Sequence, residues 1–372
     1  TEFYKIMLHL ADYEGSVHNY TIPDLDLIKF LNRQKSFFPY PLLYIKGQII
    51  FDGQSSDIPA GSRIRSINGV SDTKLMQSFY KYYTADGFNI TEKLSASVNK
   101  SFGINYLLEY GLSNEFIIEY NSPKSESLQK KVLPAVTLKQ REANIKNRFS
   151  APVTDLLDYK KQSPYSFRML NPTTGLLNLR WFGMAYGSDD PKFEPYVHFL
   201  DSVFTGLDKN KISNLIIDVR NNPGGSDPNF EQPVMYLTDQ PFKENVKATI
   251  IFDPNLLPFE NYFWGVSTSE RMDSISKKMG KEYLKDVYPV FKNNISVQNP
   301  KYNPVYYPKS PKFKGNLYLL INENVASAAS HFASLVKAYV QNVTIVGVET
   351  VGGYYRHNGH SPLVYELPNS KI

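Results

Sequence analysis

Two apolar, strand-like runs that each end in a loop of small residues constrain this sequence more than any other feature. The first run, Asn214–Val219, leads into a turn that ends in Gly224 and Gly225. The second, Asn316–Ile321, leads into a predicted helix that begins at Ser327. A helix N-terminus presents free N–H groups and the positive end of a dipole, so a serine there lies beside groups that stabilise negative charge. One junction offers a nucleophile and the other offers backbone amides, which together indicate acyl-transfer chemistry.

Length and composition narrow the class of protein. A chain of 372 residues exceeds one ordinary domain, which predicts two or three units. The net charge of +5 is spread along the chain, and its longest basic stretch, 124–146, also carries acidic residues, so we expect a solvated face and no nucleic-acid partner. The absence of cysteine excludes disulfides, thiolate zinc sites and a cysteine nucleophile. No apolar run approaches the roughly 20 residues of a membrane span, so we expect no transmembrane segment.

The first 122 residues predict an N-terminal helical segment, 1–38, followed by a small β-rich domain at 39–122. Lys46-Gly47 separates two short apolar runs and predicts a hairpin turn. The later elements are a segment with an Asn-Gly turn, a helix and two strands: Ile58–Gly69, Lys74–Tyr83, Asn105–Tyr110 and Glu115–Tyr120. This order resembles a PDZ domain, a module that binds peptides by adding a strand to a sheet edge.

From about Phe167 the pattern alternates between strand and helix, which predicts an α/β domain with a largely parallel sheet. Its predicted strands are Phe167–Leu170, Gly175–Phe182, Asn214–Val219, Lys247–Phe252, Asn316–Ile321 and Val343–Val346, and its helices are Lys192–Leu207, Phe230–Leu237 and Ser327–Val340. Residues 253–313 interrupt the pattern with Pro- and aromatic-rich sequence and a helical stretch near Ser269–Val287, and they indicate an insertion of the kind that often forms a lid. We therefore predict a catalytic domain at 123–372.

The site requires a nucleophile, a base and donors for an oxyanion. Ser327 is the first choice of nucleophile, and Ser330 is the second because it lies one turn further along the same helix. The Gly224-Gly225 pair is the natural source of oxyanion donors, since glycine lets main-chain N–H groups approach a ligand. The alternative interpretation of each motif is structural: a small-residue helix packed closely on a sheet, and a plain strand-ending turn.

Histidine is the usual base, and the chain has six: His9, His18, His198, His331, His357 and His360. His331 follows Ser327 by four positions on the same predicted helix, so it projects back near the serine. His18 lies in a loop beside Ser16 and belongs to a separate segment. Spacing alone leaves both His18 and His331 open.

Together these motifs resemble peptidase family S41, the C-terminal-processing and tricorn-core group of serine peptidases. The likeness covers nearly the whole chain and includes the Asp-x-Arg-x-Asn-x-Gly-Gly pattern at Asp218–Gly225 and Gly-x-x-Thr-x-Gly at Gly347–Gly352. It implies a ClpP/crotonase-like catalytic fold and a polypeptide substrate. It also implies an oxyanion hole from backbone N–H groups of Gly224 or Gly225 and of Ala328. No metal or organic cofactor is implied.

The family resemblance also bears on the base. One branch uses a lysine about 25 residues after the serine, but Gly353 stands at that position here, which argues against a Ser/Lys dyad. The tricorn-like branch uses a histidine just before its PDZ unit, in Asp-Gly-His-Thr, and Ser16-Val-His18-Asn matches that motif imperfectly. The resemblance therefore favours His18 as the base, with Ser16 as its polar neighbour and His331 as a possible supporting residue.

Three departures from the family pattern favour an alternative function. The usual Ser-Ala-x-Glu is Ser327-Ala-Ala-Ser330 here, the histidine motif is degenerate, and the chain stops at Ile372 where members continue. We expect the sequence to be a piece of a longer protein. By the same resemblance, an acidic residue that supports the base lies further downstream in tricorn-like members, and Glu349 and Glu366 are substitutes for it by position only. The leading hypothesis is a serine endopeptidase or carboxy-terminal processing peptidase, exported to the periplasm or cell surface. The alternative is a catalytically impaired scaffold that binds peptides. A third hypothesis is acyl-CoA chemistry on the same fold, and failure of the protein to bind CoA esters would exclude it.

Overall fold

The computed structural model describes residues 2–55, 57–99, 101–148, 163–265, 274–359, 363–370 and 372. The chain divides into two compact units, Thr1–Asp158 with Ile372, and Tyr159–Lys371. The finer division at residues 38 and 122 stays a prediction. Among the described residues, every helix is either too short or too polar to cross a membrane.

The first unit is built on a six-stranded antiparallel sheet of order β2-β3-β4-β6-β7, with β5 paired to β4, and a separate two-stranded sheet of β1 and β8. Its strands are β1 (Lys35–Phe37), β2 (Leu42–Ile45), β3 (Gln48–Phe51), β4 (Arg63–Ile67), β5 (Val70–Ser71), β6 (Glu115–Asn121), β7 (Leu128–Pro134) and β8 (Val136–Thr137). Its helices are α1 (Glu2–Ala11), α2 (Leu25–Arg33), α3 (Asp72–Phe79), α4 (Thr91–Val98), α5 (Phe102–Tyr110) and α6 (Leu138–Lys146), with a 3₁₀ turn at Tyr80–Tyr82.

Two local predictions in this unit had different outcomes. The hairpin is confirmed: β2 and β3 pair across Lys46 and Gly47, whose φ angles of 49° and 80° suit the tight turn that matches strand twist. The strand predicted at Asn105–Tyr110 is wrong, because that segment belongs to α5. Phe102, Tyr106 and Tyr110 recur every four residues and contact one another along one helix face, a spacing that outweighs the strand preference of aromatic residues.

The second unit holds the strand and helix alternation. Its strands are β9 (Tyr165–Asn171), β10 (Thr174–Leu179), β11 (Asn214–Asp218), β12 (Thr249–Ile250), β13 (Phe263–Gly265), β14 (Val290–Lys292), β15 (Ile295–Val297), β16 (Asn316–Ile321), β17 (Val343–Gly347) and β18 (Val364–Tyr365). Its helices are α7 (Phe193–Lys209), α8 (Glu231–Met235), α9 (Ser274–Val287) and α10 (Ala328–Tyr339), with 3₁₀ turns at Glu260–Tyr262 and Pro300–Tyr302.

The central sheet has the order β17-β16-β11-β10-β9, and only β9 runs antiparallel to its neighbour. This confirms the predicted mixed α/β unit with a largely parallel sheet. Strands β11 and β16 are adjacent and in register, with Asn214 opposite Asn316 and Asp218 opposite Leu320. Because parallel strands end at the same edge, the loops that follow them emerge side by side. That edge carries both junctions singled out in the sequence.

The predicted strand Lys247–Phe252 does not join this sheet. The observed strand β12 is shorter and pairs antiparallel with β15, in a three-stranded sheet of order β12-β15-β14 that lies mainly within the insertion 253–313. The insertion also contains α9, the core of the predicted helix Ser269–Val287. Residues 266–273, which begin that prediction, lie outside the described part of the chain.

Candidate active site

Ser327 lies at the junction between β16 and α10, in a backbone conformation that few L-residues adopt. Its φ is 49° and its ψ is −129°. As the N-cap of α10 it makes no side-chain capping hydrogen bond, so the hydroxyl is not used to satisfy the helix end. The residue is half-buried. A strained turn that leaves the hydroxyl uncommitted is a common arrangement for a nucleophile.

Gly224 lies directly against this serine. A Cβ added at Gly224 would come 2.7 Å from the Ser327 Cβ and 2.9 Å from both the Ala326 oxygen and the Ala328 nitrogen. The φ of Gly224 is 104°, a value that favours glycine. The structure therefore brings the two sequence junctions into contact at the edge of the central sheet.

The buried Asn222 stabilises the contact between Gly224 and Ser327 through three hydrogen bonds. Its side chain is fully buried, its Oδ1 accepts a hydrogen bond from the Gly224 N–H at 2.9 Å, and its Nδ2 donates to the Leu179 carbonyl at 2.9 Å. Its carbonyl accepts from the Ala326 N–H at 3.1 Å. Asn222 thus braces the glycine turn and ties it to the serine loop.

A backbone N–H group can bind an oxyanion only if it does not already donate a hydrogen bond within the protein. The Gly224 N–H is already donated to Asn222, so this residue provides close approach and not a hydrogen bond. Among the described residues, none accepts a hydrogen bond from the N–H of Gly225 or of Ala328. Ala328 is the first residue of α10, where unpaired N–H groups are expected. Gly225 and Ala328 are therefore the better-placed donors of the predicted set.

An asparagine cluster further joins the two loops. The Asn221 N–H donates to Asn322 Oδ1 at 2.9 Å, and Asn221 Oδ1 accepts from Asn322 Nδ2 at 2.8 Å and from Asn324 Nδ2 at 3.0 Å. The nearby Arg220 instead makes a two-pronged ion pair with Asp218. The sequence pattern did not reveal this cluster, because its members come from loops about a hundred residues apart.

Ser330 does not have the environment of a nucleophile. It is 1% exposed, and its hydroxyl donates to the Val325 carbonyl at 2.9 Å. That bond satisfies a carbonyl of the loop that precedes the helix. The role of Ser330 in this structure is to fasten the start of α10.

His331 is occupied by Glu244. Its Nε2 lies 3.0 Å from the Glu244 carbonyl oxygen, and its Nδ1 lies 3.3 Å from Glu244 Oε1. The ring is stacked between Phe230 and His357, with centroids 5.3 and 4.0 Å away. Since a carbonyl oxygen only accepts, Nε2 is the donor of that bond. Both ring nitrogens of His331 therefore contact Glu244.

Three carboxylates gather beside this histidine. One oxygen from each of Asp227, Glu231 and Glu244 lies within 4.8 Å of the other two. Glu231 is fully buried, and burial together with the charges of Asp227 and Glu244 raises its pKa well above the usual range. This group is the set of described side chains that could hold a metal ion. Sequence patterns did not predict this group, because Glu244 lies beyond α8 and is distant in sequence from the other two residues.

His18 lies in the first unit, in a loop whose conformation is fixed by two acceptors. The Val17 N–H donates to Asp86 Oδ1 at 2.9 Å, and the His18 N–H donates to the buried Ser16 hydroxyl at 3.2 Å. Burial lowers the pKa of His18, and the charge of Asp86 partly opposes that shift. Sequence reasoning named Ser16 but missed Asp86, for which a polar Thr-Ala-Asp-Gly turn at 84–87 was the only signal.

The remaining candidates lie away from the serine junction in sequence. Glu349 is exposed and follows β17. Glu366 is half-buried and follows β18, where its N–H donates to the Tyr262 carbonyl at 2.9 Å. His9 lies on α1 and His198 on α7. His360 lies outside the described residues.

Comparison with known proteins bears on the second unit. Residues 191–363 match the model of peptidase family S41. No curated protein sequence matches the chain.

Solved structures share the fold. Mature CPAF is 17% identical, with a TM-score of 0.50 over 88% of this chain and 72% of its own. A mutant of CPAF is 15% identical, with a TM-score of 0.52 over 98% of this chain and 80% of its own. Mature CPAF in complex with lactacystin is 16% identical, with a TM-score of 0.50 over 96% and 78% of the two chains. The matched segment, residues 191–363, contains both the glycine turn and the serine junction, so this part of the chain is similar to peptidase family S41.

Proposed function

We propose that the protein is a serine peptidase in which Ser327 attacks the carbonyl carbon of a peptide bond. His18 accepts the hydroxyl proton as the bond forms and then donates it to the departing amine. Water hydrolyses the resulting acyl-enzyme by the same route in reverse. The N–H groups of Gly225 and Ala328 stabilise the oxyanion of each tetrahedral intermediate.

One observation carries this proposal: Ser327 is held at a φ of 49° directly against Gly224, and its hydroxyl has no hydrogen-bond partner among the described residues. A helix that merely needed small residues for packing would have no use for a strained serine at its N-cap. The strained conformation costs of order 1–3 kcal/mol, so it is supported by surrounding contacts and indicates a functional position.

His18 is supported as the base by elimination and by its own environment. Glu244 occupies both nitrogens of His331, and Gly353 stands where a lysine base is expected. Burial lowers the pKa of His18, which favours the neutral imidazole that a general base requires near pH 7. We assign Asp86 a positioning role, because it anchors the loop through the Val17 N–H.

The test is labelling with a fluorophosphonate, followed by intact-mass measurement and peptide mapping. We expect one adduct per chain on Ser327, absent in Ser327→Ala and strongly slowed in His18→Ala. His331→Gln is the matched histidine control and should retain labelling. Absence of any adduct in folded protein, or an adduct on Ser330, would overturn the assignment of the nucleophile. Loss of labelling in His331→Gln but not in His18→Ala would overturn that of the base.

We further propose that the first unit is PDZ-like and holds the polypeptide substrate. A pocket with a volume of about 390 Å³ lies between the edge strand β2 and the helices α3 and α4. It is lined by Tyr44, Gly47, Ile49, Asp72, Thr73, Met76, Gln77, Tyr80, Ile90 and Leu94. An edge strand beside an apolar pocket suits a peptide that adds as an extra strand and inserts a side chain.

Peptide affinity measured by fluorescence anisotropy tests this groove. Met76→Lys places a charge in the pocket and should weaken binding of apolar peptides at least tenfold, whereas the exposed Lys74→Glu on the same helix should not. Equal affinity in wild type and Met76→Lys would show that the substrate is held elsewhere.

We also propose a ClpP/crotonase-like catalytic fold for the second unit and export to the periplasm or cell surface, both by family resemblance. Fractionation of the native cells tests export. The alternative function, a peptide-binding scaffold without catalysis, is favoured by the missing helix carboxylate at Ser330. It predicts peptide affinity without fluorophosphonate labelling, a combination that the two experiments above separate from peptidase activity.

A further inference from the structure

The three carboxylates behind the glycine turn form a site that the peptidase chemistry does not use. Asp227 and Glu231 follow Gly225 closely in sequence, and Glu244 reaches them from beyond α8. One oxygen of each lies within 4.8 Å of the others. Like charges at this spacing repel strongly when they are shielded from water. A proton or a cation held by the group would relieve this repulsion.

Glu231 provides a second observation that points to a missing partner. Its side chain is 0% exposed, and the Tyr306 hydroxyl donates to its Oε1 at 3.0 Å, which fixes the carboxyl group. Its Oε2 is buried and has no hydrogen-bond partner among the described residues. A buried carboxylate oxygen left unpaired costs several kcal/mol, so an electropositive partner is expected there.

Asn229, between the two acidic residues, repeats this feature. It is 0% exposed, and its Nδ2 donates to the carbonyls of Phe182 and Ala185 at 2.6 and 2.7 Å. Its Oδ1 is buried and likewise without a partner among the described residues. Asp227, Asn229 and Glu231 thus offer oxygen atoms at alternate positions of one short segment, as calcium-binding loops do.

Neither Glu231 nor Glu244 forms an ion pair with a lysine or an arginine in the described part of the chain. Glu244 contacts the His331 ring. Asp227 is partly exposed, so the group borders solvent at that residue. The site is therefore built from oxygen atoms and borders solvent.

We propose that Asp227, Glu231 and Glu244 bind a divalent cation that prefers oxygen ligands, with Ca²⁺ as the best fit. Carboxylate oxygens with an irregular arrangement suit the flexible shell of about six to eight oxygen ligands that Ca²⁺ accepts, whereas Mg²⁺ requires a near-ideal octahedron. Waters would complete the coordination. The bound cation links the segment after Gly225 to Glu244, and through Glu244 to His331 on the serine helix α10.

The test measures metal binding and needs no peptidase activity. Full-length protein is stripped with EDTA and dialysed, then titrated with Ca²⁺ by calorimetry, and its Tm is recorded in parallel. We expect one Ca²⁺ per chain with Kd below about 1 mM, a rise in Tm with Ca²⁺, and weaker binding of Mg²⁺. Terbium luminescence, excited through nearby tyrosines such as Tyr306, gives an independent signal.

Variants distinguish this site from surface carboxylates. Asp227→Asn and Glu231→Gln should each reduce Ca²⁺ affinity at least tenfold, whereas Glu194→Gln, an exposed carboxylate on α7, should match wild type. Asp227 is partly exposed, so its variant is expected to fold even if the Glu231 variant does not. A Tm unchanged by 10 mM Ca²⁺, or binding retained in both site variants, would overturn the proposal. In the first case a shared proton, and not a cation, stabilises the group.

Discussion

Gly224 lies so close to Ser327 that a Cβ on the glycine would come 2.7 Å from the Cβ of the serine. Gly224→Ala must therefore displace the serine or the start of α10, and it must also place alanine at a φ of 104°. We expect a loss of at least 100-fold in kcat and a destabilisation of about 1–3 kcal/mol. Peptide or ester hydrolysis and urea unfolding measure the two effects.

Gly206→Ala is the matched control. Gly206 lies within α7, and a Cβ there would meet nothing within 4 Å. Alanine favours a helix over glycine by about 1 kcal/mol, so this variant should be as stable as wild type or more so, with unchanged kcat. Similar losses in both glycine variants would contradict the close-contact explanation.

Ser330→Ala separates the two serines of the helix. It removes one of two donors to the Val325 carbonyl, which keeps the Val351 N–H, so we expect a destabilisation of about 0.5–1.5 kcal/mol. The fluorophosphonate adduct on Ser327 should still form under conditions where the variant is folded. Urea unfolding monitored by circular dichroism, together with mass spectrometry, checks both parts.

Asn222→Ala tests the brace beneath the glycine turn. It leaves the Gly224 N–H and the Leu179 carbonyl without their partner in a buried site, so we expect destabilisation of about 2–4 kcal/mol and slower labelling of Ser327. Asn316→Ala removes a comparable amide bond to Asn214 in an exposed place and should cost less than about 0.5 kcal/mol. An equal loss in the free energy of unfolding for the two variants would show that burial does not determine how much the Asn222 hydrogen bonds contribute to stability.

The pH dependence of activity tests His18. Because burial lowers its pKa from 6.5, and a base must be neutral to act, kcat/KM should rise with pH with a midpoint below 6.5. Asp86 opposes the shift, so Asp86→Asn should move the midpoint to still lower pH while keeping an oxygen that accepts from Val17. A midpoint above 6.5, or an upward shift in Asp86→Asn, would contradict this role.

The lowered pKa of His18 also makes the free energy of unfolding depend on pH. His18 binds a proton less readily in the folded state than in the unfolded state, so its contribution to the free energy of unfolding is complete above pH 6.5. It is lost as the pH falls below 6.5 through the lower pKa of the folded state. His18→Gln should flatten the acid side of the stability curve, and urea unfolding from pH 5 to 8 measures it.

The central sheet and its edge could be predicted from the sequence because their signals are local. The apolar runs before Gly224 and Ser327 have the length of buried strands, and parallel pairing makes their ends meet. Strand β12 and helix α5 were mispredicted for the opposite reason. The apolar run in α5 fits either a strand or a helix, and the run around β12 fits either of two sheets. Tertiary packing determined the outcome in both cases.

The environments of the histidines could not be predicted from spacing. His331 has the correct helical offset from Ser327, but Glu244, whose position depends on the path beyond α8, occupies both its nitrogens. Asp86 approaches the His18 loop from about seventy residues further along the chain. These partners are distant in sequence and come close only in the folded structure, so sequence spacing does not identify them.

The backbone of Ser327 also has a consequence for how this protein can change. At a φ of 49°, glycine would occupy the position with less strain than serine. A lineage that gave up bond cleavage and only held peptides would therefore gain stability from a single codon change at 327. Serine at that position is thermodynamically the poorer choice, and its hydroxyl is the one property that glycine cannot replace.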